Sequence, residues 1–131
     1  MNRFMKEVFD AHELIQRWFS DVNAPQSVCD ALLARFSPDY SMVTLTGHPL
    51  DYPKLCAFFA AQRGTKAGLK IQVDHAVLMA ESADHAVVAY QERQQLPGQA
   101  ETLRYSTVVF DVDAQGKVLW RHLHETSGSE K

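Results

Sequence analysis

Apolar residues recur at steps of three and four in the first half of the chain, which is the spacing of amphipathic helices. Residues 4–22 carry the first such stripe, and the segment Asn23-Ala24-Pro25 interrupts it. A second helix is predicted from Pro25 to Ser37-Pro38, where it ends because the residue before a proline avoids the helical region. A third helix is predicted after Asp51, whose side chain can cap the first turn.

Alternation of apolar and polar residues predicts strands in the rest of the chain. One strand is expected before the third helix, over 40–46. Four more are expected over 71–80, 85–94, 102–112 and 117–125. This order of elements (α-α-β-α-β-β-β-β) is typical of an α+β fold in which three helices pack on one face of a curved antiparallel sheet. We expect one domain over 1–131, with a polar tail over 125–131 that frays.

The turns between the strands predict how the strands pair. A type I turn closed by a glycine bulge at 113–116 pairs Asp113 with Lys117, and regular alternation sets the rest of that hairpin. For the preceding hairpin we choose the register that places Glu92 opposite Arg104, because opposite charges on paired strands attract. The further predicted pairs are Phe110 with Trp120, Val108 with His122, Ser106 with His124, Tyr90 with Ser106, Val88 with Val108 and His75 with Tyr90.

This register predicts two kinds of side chain on the inner face of the sheet. An apolar floor consists of Val77, Met79, Val88, Val108, Phe110 and Trp120. A polar row above it consists of His75, Tyr90, Ser106 and His124, with Glu92 and Arg104 one step further out. Apolar walls with a few converging polar groups are typical of a site for a small ligand.

The opposite, outer face mixes apolar, polar and charged side chains, which suits a protein interface better than a core or bare solvent. Its predicted members are Val87, Ala89, Gln91, Arg93, Tyr105, Thr107, Val109, Arg121 and Leu123. We therefore expect a homodimer that is joined through the outer sheet face.

Composition and charge exclude several classes of partner. The net charge of −3 is mild and the chain has no basic stripe, so nucleic-acid binding is not expected. No uncharged stretch is long enough to span a bilayer, and the N-terminus lacks the apolar run of a signal peptide. Cys29 and Cys56 fall within helical patterns and are interpreted as reduced side chains. We expect a cytoplasmic protein without membrane or nucleic-acid partners.

Several features together resemble the nuclear transport factor 2-like (NTF2-like) superfamily, which includes ketosteroid isomerases and SnoaL-like cyclases. They are the long first helix, the Ser37-Pro38-Asp39-Tyr40 entry to the first strand, Gly47 in the following turn, the aromatic third helix and the ending W-R-H-L-H-E-T-S-G. That ending is also similar to the last strand of the association domain of calcium/calmodulin-dependent kinases. The chain most resembles the short, uncharacterised bacterial members of the superfamily.

The resemblance implies a cystatin-like cone with a deep pocket between sheet and helices, and dimers joined through the outer sheet face. It also implies that the first strand lies beside the last, which would bring Tyr40, Met42 and Thr44 near His122 and His124. The isomerases of the superfamily use an Asp base three residues before the glycine of the first strand's turn. Thr44 stands at that position, and a hydroxyl without a neighbouring base cannot take a proton from carbon at neutral pH. The isomerase mechanism is therefore not expected.

Three functions remain to be weighed. The favoured one is a homodimeric protein that binds a small, unidentified molecule and need not catalyse a reaction. The alternative is an enzyme of isomerase, dehydratase or cyclase type in which His75, Tyr90 and His124 act on a small organic substrate. Ligand-binding residues would be Tyr40, Met42, Thr44, Glu92, Arg104, Ser106, Trp120 and His122. The third, a metal site at His122 and His124, lacks a clear third ligand, so neither a metal nor a cofactor is expected.

Overall fold

The computed structural model describes residues 1–128, and within them the chain forms three helices and six strands. In chain order these are α1 (Arg3–Ser20), α2 (Gln26–Leu33), β1 (Phe36–Val43), β2 (Pro49–Asp51), α3 (Tyr52–Ala60), β3 (Lys70–Glu81), β4 (His85–Gln95), β5 (Thr102–Val112) and β6 (Val118–Ser127). The three predicted helices and five predicted strands are present. Strand β2 is an addition to the prediction, a three-residue segment that pairs with the end of β1.

Side chains cap two of the helices at their first turns. The Oδ1 atom of Asn2 accepts a hydrogen bond from the backbone N–H of Phe4 at 2.8 Å and caps α1. Asp51 caps α3 as predicted, because its Oδ1 atom accepts from the backbone N–H of Lys54 at 3.1 Å. These caps satisfy backbone donors that have no partner inside the helix.

The second helix is shorter than predicted. It ends at Leu33, and Phe36, Ser37 and Pro38 already belong to β1. The ring centroid of Phe36 lies 4.8 Å from that of Tyr40, and this aromatic packing stabilises the extended chain beside the core. Pro38 lies in an irregular stretch of β1, where its missing N–H removes no regular ladder bond.

The strands form one sheet in the order β2-β1-β6-β5-β4-β3. Strands β1 and β6 pair in parallel, and every other neighbouring pair is antiparallel. The expectation that the first strand lies beside the last is confirmed, with Phe36 opposite Trp120. The predicted register of β4 and β5 is also confirmed, with Glu92 opposite Arg104. Helices cover the inner face, and the largest fully buried side chains there include Trp18, Trp120, Tyr40, Phe4 and Phe110.

The segment that follows α3 is held close to α1. The backbone N–H of Gly64 donates to the carbonyl of Trp18 at 2.9 Å, and Nε1 of Trp18 donates to the carbonyl of Phe59 at 2.7 Å. Gly64 has a φ of 64°, and a Cβ atom at this position would lie 2.4 Å from Cα of Val22. Glycine is needed here both for its backbone conformation and for its lack of a side chain.

The register of β5 and β6 is as predicted at Trp120 and differs after it. Phe110 lies opposite Trp120, but the next pair joins Val109 to His122. Arg121 is therefore an extra residue on β6, which is a β-bulge. Because successive side chains of a strand alternate between faces, a bulge exchanges the faces of all the residues that follow it.

The bulge corrects the predicted positions of both histidines near the C-terminus. His122 and His124 point to the outer face, and Leu123 and Glu125 take the inner positions. Burying Leu123, which is 9% exposed, gives a physical reason for the extra residue. Strand β6 continues to Ser127, so the fraying predicted after Glu125 is wrong for residues 126 and 127. Residues 129–131 of the predicted tail lie outside the described residues.

Strand β3 contains two similar register shifts, and the first of them lies at His75. Asp74 lies opposite Gln91 but Val77 lies opposite Ala89, so β3 has one more residue than β4 between these two pairs. His75 lies in this interval with a φ of 53°, and 65% of its side chain is exposed. The predicted pairing of His75 with Tyr90 is therefore wrong, because regular alternation does not hold across the bulge.

The bulge in β3 also changes the predicted floor. Val77 and Met79 are 56% and 63% exposed, whereas Ala76 and Leu78 pack against the core in their place. The other predicted floor residues, Val88, Val108, Phe110 and Trp120, are buried as expected.

Within residues 1–128, no helix is long and apolar enough to cross a membrane. The cytoplasmic location stays a prediction from the sequence.

Candidate functional site

A cavity of about 410 Å³ lies between the inner face of the sheet and helices α1 and α3. This volume is within the range of cavities that hold small organic ligands. Most of its walls are apolar, with Ile15, Phe19, Phe36, Leu50, Leu55, Phe59, Trp120 and Leu123 among the lining residues. Five lining residues have acidic or basic side chains: His12, Lys66, Glu92, Arg104 and Glu125.

His12 and Glu92 form a buried ion pair in the cavity wall. Nε2 of His12 lies 3.0 Å from Oε1 of Glu92, and Nδ1 of His12 lies 2.7 Å from the carbonyl oxygen of Val8. Burial alone would raise the pKa of the Glu92 carboxyl, but the charge and hydrogen bond of His12 outweigh it and lower the pKa to about 2. Burial likewise opposes the charged imidazole, yet Glu92 and the Val8 carbonyl raise the pKa of His12 above its usual value. His12 is therefore an imidazolium that donates both of its N–H groups.

Arg104 and Glu125 form a second, looser pair. Nη1 of Arg104 donates to Oε2 of Glu125 at 3.4 Å, and Nε of Arg104 is buried without a hydrogen-bond partner among the described residues. Burial raises the pKa of the Glu125 carboxyl, the negative charge of Glu92 adds to the rise, and the charge of Arg104 only partly offsets them. Glu125 is the carboxyl of this site that takes up a proton most readily.

Tyr90 and Ser106 face each other on β4 and β5 beside this cluster. Both are buried, and neither hydroxyl has a hydrogen-bond partner of good geometry among the described residues. Burial, with the charges of Glu92 and Glu125, raises the pKa of Tyr90 well above its ordinary value, so its phenol stays protonated. Burial and the charge of Glu125 also raise the pKa of Tyr40, whose phenol lines the cavity and stays protonated.

The structure places only some of the predicted site residues at this cavity. Those that line it are Tyr40, Met42, Thr44, Glu92, Arg104 and Trp120. Tyr90 and Ser106 are on the inner face but are not among the lining residues.

Three predicted site residues lie elsewhere. His75 is exposed in the bulge of β3, where its Nδ1 atom lies 2.9 Å from Oδ1 of Asp74. His122 has its Nδ1 atom 2.7 Å from Oγ of Ser41, and His124 is exposed on the same outer face. The predicted catalytic group of His75, Tyr90 and His124 is therefore not assembled, because a bulge in each of two strands moves its histidines away from the inner face.

Two members of the charged cluster were not assigned to the cavity from the sequence. His12, on the flank of the first helical stripe, could reach the pocket mouth, but a surface position was favoured for it, although an inward-facing carboxylate at Glu92 needs a buried cation. Glu125 was placed where the last predicted strand meets the polar tail, and it was given no role. A signal for Glu125 exists in the spacing of Trp120 and Leu123, because two large apolar residues three apart can share one face of a strand only across a bulge.

Metal binding finds no support in the grouping of side chains. Within residues 1–128, no cluster of three or more His, Cys, Asp or Glu side chains is arranged to hold a metal ion. His122 and His124, the pair that first suggests a metal, share the outer face without a third such ligand in that part of the chain.

The sequence matches no protein-family model and no curated protein. Several solved structures do match the fold. An NTF2-like protein of unknown function from Pseudomonas aeruginosa is 38% identical, with a TM-score of 0.89 over 96% of this chain and 98% of that chain. A putative calcium/calmodulin-dependent protein kinase type II association domain from Thiobacillus denitrificans is 16% identical, with a TM-score of 0.68 over 91% of this chain and 93% of that chain.

A putative scytalone dehydratase from Novosphingobium aromaticivorans is 10% identical, with a TM-score of 0.69 over 96% of this chain and 82% of that chain. Proteins with a cystatin-like fold are also among the matches, and they confirm the predicted fold class. At identities below 25% these likenesses concern the fold alone. The Pseudomonas protein is close enough over nearly the whole of both chains to show the family, and the chain is therefore a member of the NTF2-like family.

Proposed function

We propose that this protein binds a small organic molecule in the cavity between sheet and helices. The observation that supports this function is the cavity itself, whose apolar walls enclose a compact group of charged side chains. Apolar walls favour a ligand with a hydrocarbon body, and the few polar groups fix its orientation. Arg104 and Glu125 are the polar contacts best placed to do so, because His12 and Glu92 are already occupied with each other.

A thermal-shift screen of small organic metabolites tests this proposal, because a ligand that binds only the folded state raises the Tm. A matched pair of variants locates the binding site. Met42→Trp fills the cavity from β1, and Val43→Trp adds the same side chain to the neighbouring position, which does not line the cavity. We expect the ligand to raise the Tm of the wild type and of Val43→Trp but not of Met42→Trp. Equal binding by both variants would place the ligand outside the cavity.

We also propose that two copies pair through the outer sheet face. This face carries three large, exposed apolar side chains, Val77, Met79 and Tyr105, which are 56%, 63% and 44% exposed. Burying such side chains against a second copy would remove apolar surface from water. His122 and His124 lie on this face as well, so they would be interface residues.

Sedimentation equilibrium tests the homodimer directly. Met79→Glu puts a charge into the proposed interface and is expected to give a monomer. Val22→Glu is the matched control, because Val22 is 68% exposed in the turn after α1. A wild type that is monomeric at high micromolar concentration would overturn this part of the proposal.

A second candidate function is catalysis of an isomerase, dehydratase or cyclase type. The position of Glu125 favours it, because this carboxyl lines the cavity with a raised pKa and can give and take a proton. His12 is a poor base in the same site, because both of its nitrogens already hold protons that are donated to Glu92 and Val8. In this second function, Glu125 is the acid–base group of β6, a role that the sequence analysis gave to His124.

Hydrogen exchange next to a carbonyl group tests this second function. The protein is incubated in D₂O with 4-phenylbutan-2-one, and deuterium incorporation is followed by proton NMR. An enzyme of this type should accelerate exchange, Glu125→Gln should abolish the acceleration, and His124→Ala should retain it. Exchange at the rate of buffer alone would count against catalysis by Glu125 on carbonyl compounds.

A further inference from the structure

Arg104 has more hydrogen-bonding capacity than its protein partners use. A guanidinium offers five N–H donors, and the described residues accept from it once, at the long distance of 3.4 Å to Glu125. Its Nε atom has no partner in the described part of the chain. By comparison, Arg35 forms a short ion pair, in which its Nη1 atom lies 2.6 Å from Oε1 of Glu7. Arg104 is therefore a buried cation of the cavity with donors left for an anion.

The second carboxylate near Arg104 accepts its hydrogen bonds from other side chains among the described residues. Glu92 faces Arg104 across β4 and β5, but its Oε1 atom is held by His12 at 3.0 Å and its Oε2 atom by Nε2 of Gln94 at 2.5 Å. Among residues 1–128, Glu125 has no such second partner, and its contact with Arg104 is the longer and weaker one. Glu125 is thus the group that an incoming anion would displace.

The charges around Glu125 are balanced before any ligand enters. The groups that face it come from α1 (His12), β1 (Tyr40), β4 (Tyr90 and Glu92) and β5 (Arg104). His12 and Arg104 are cations, and they balance the two anions, Glu92 and Glu125 itself. Both phenols are neutral. A third negative charge in this buried cluster is costly unless one carboxylate takes up a proton.

We infer that the cavity binds a carboxylic acid with an apolar body, whose carboxylate replaces Glu125 on the Arg104 guanidinium while Glu125 takes up one proton from solvent. The protonated Glu125 can then donate a hydrogen bond to the ligand. A planar carboxylate matches the fork of an arginine side chain, and the apolar walls take the rest of the molecule. This inference rests on the proposed small-molecule-binding function and narrows it to one class of ligand.

Three probes with the same apolar body and different head groups test the inference: 4-phenylbutyrate, 4-phenylbutyramide and 4-phenylbutylamine. Isothermal titration calorimetry with the full chain measures their affinities between pH 5 and pH 8. Repeating the titrations in phosphate and in Tris, which differ in ionisation enthalpy, counts the protons taken up. We expect 4-phenylbutyrate to bind more tightly than the other two probes and to be the one whose binding takes up a proton. Its affinity should fall by about 10-fold per pH unit where free Glu125 is ionised.

Three variants assign the effect to particular side chains. Glu125→Gln should bind 4-phenylbutyrate at pH 8 more tightly than the wild type and without proton uptake. Arg104→Gln should lose about 10- to 100-fold in affinity, the usual worth of a hydrogen bond to a charged group. Arg121→Gln removes an arginine from the bulge of β6, which does not line the cavity, and should bind like the wild type. A loss in Lys66→Gln as large as that in Arg104→Gln would overturn the assignment, since Lys66 is another cation that lines the cavity.

The outcomes separate this inference from the function on which it rests. If the amide or the amine binds as well as the carboxylate, the protein binds small molecules but the carboxylate inference is wrong. If 4-phenylbutyrate binds without proton uptake, the displacement of Glu125 is wrong. If none of the three probes binds at millimolar concentration, the carboxylate inference is overturned, and the broader screen with Met42→Trp and Val43→Trp decides the proposed function by itself.

Discussion

His12 and Glu92 join the first helix to the middle of the sheet through an ion pair that water barely reaches. The pair spans 3.0 Å from Nε2 to Oε1, with 7% of the His12 side chain and 4% of the Glu92 side chain exposed. Because both nitrogens of His12 donate to fixed acceptors, the pair is fully hydrogen-bonded on its histidine side. Replacing either residue by an uncharged one leaves the other as a buried charge without its ion-pair partner.

Replacing His12 by alanine should therefore destabilise the protein strongly. We expect His12→Ala to lower the free energy of unfolding by about 3–5 kcal/mol, measured by urea denaturation, because the buried Glu92 loses its ion-pair partner and keeps only the hydrogen bond from Gln94 and the charge of Arg104. His85→Ala is the matched control. Nδ1 of His85 lies at the same distance of 3.0 Å from Oδ1 of Asp111, but the pair is exposed to solvent and its loss should cost less than about 1 kcal/mol. Equal losses would mean that burial does not set the strength of the His12 pair.

Stability should be greatest near pH 4.5, with a decline on either side and a further loss above pH 6.5. The pKa of Glu92 is lowered from its ordinary 4.5 to about 2, so its contribution is complete above pH 4.5 and is lost as the pH falls toward 2. The pKa of His12 is raised above 6.5, so its contribution is complete below pH 6.5 and is lost as the pH rises through the raised value. The pKa of Glu125 is raised above 4.5, so its contribution to stability is complete below pH 4.5 and is lost as the pH rises through the raised value.

Urea unfolding from pH 3 to pH 9 measures this dependence. Each of these groups contributes a slope of up to about 1.4 kcal/mol per pH unit within its own window. Glu125→Gln should reduce the loss of stability above pH 4.5 and leave the loss below pH 4.5 unchanged. A free energy of unfolding that rises steadily from pH 6.5 to pH 9 would contradict the assignment of His12 as a buried imidazolium.

The bulge at Arg121 can be tested through the residue that it turns inward. Leu123 is buried, so Leu123→Ala should lower the free energy of unfolding by about 2–4 kcal/mol through lost apolar contacts and the cavity left behind. Met79→Ala removes a side chain that is 63% exposed and should change the stability of the monomeric fold by no more than about 0.5 kcal/mol. Thermal denaturation at low protein concentration compares the two. A small effect at Leu123 would indicate that β6 alternates regularly after Trp120.

Gly64 should tolerate substitution less well than Gly98, although both have positive φ. A Cβ atom at Gly64 would lie 2.4 Å from Cα and 2.6 Å from N of Val22, whereas Gly98 has no atom within 4 Å of such a Cβ. Gly98→Ala should cost about 1 kcal/mol for its backbone conformation alone. Gly64→Ala should cost at least about 2 kcal/mol more, because backbone atoms must move apart. Urea denaturation of both variants measures the difference.

The helices and the central hairpin follow from the sequence because local rules decide them. The stripe over 4–22 and the cap at Asp51 give α1 and α3 nearly as they are, and the attraction between Glu92 and Arg104 gives the correct register of β4 and β5. Each of these inferences depends on residues that are close in sequence or directly paired. The same reasoning therefore places Tyr90 and Ser106 correctly on the inner face.

The site itself depends on two features that regular alternation cannot supply. A bulge in β3 and another in β6 each add one residue, and this moves His75 and His124 away from the inner face. His12 poses a different difficulty, because its position beside a helical stripe fits either burial or exposure. Only the contact with Glu92, 80 positions further along the chain, decides between them.

The extra residue at position 121 also affects how this protein can be compared with its relatives. Strand β6 carries imidazoles on one face and a carboxylate on the other, and a single inserted or deleted residue decides which of them the cavity receives. Two chains of this family with the same residues in β6 can therefore offer different chemistry to a ligand if only one of them has the bulge. An alignment that places the histidines of such strands in one column would equate side chains on opposite sides of the sheet. The residue that corresponds to Glu125 is identified by its position after the buried tryptophan, with the extra residue of the bulge included, and not by residue identity alone.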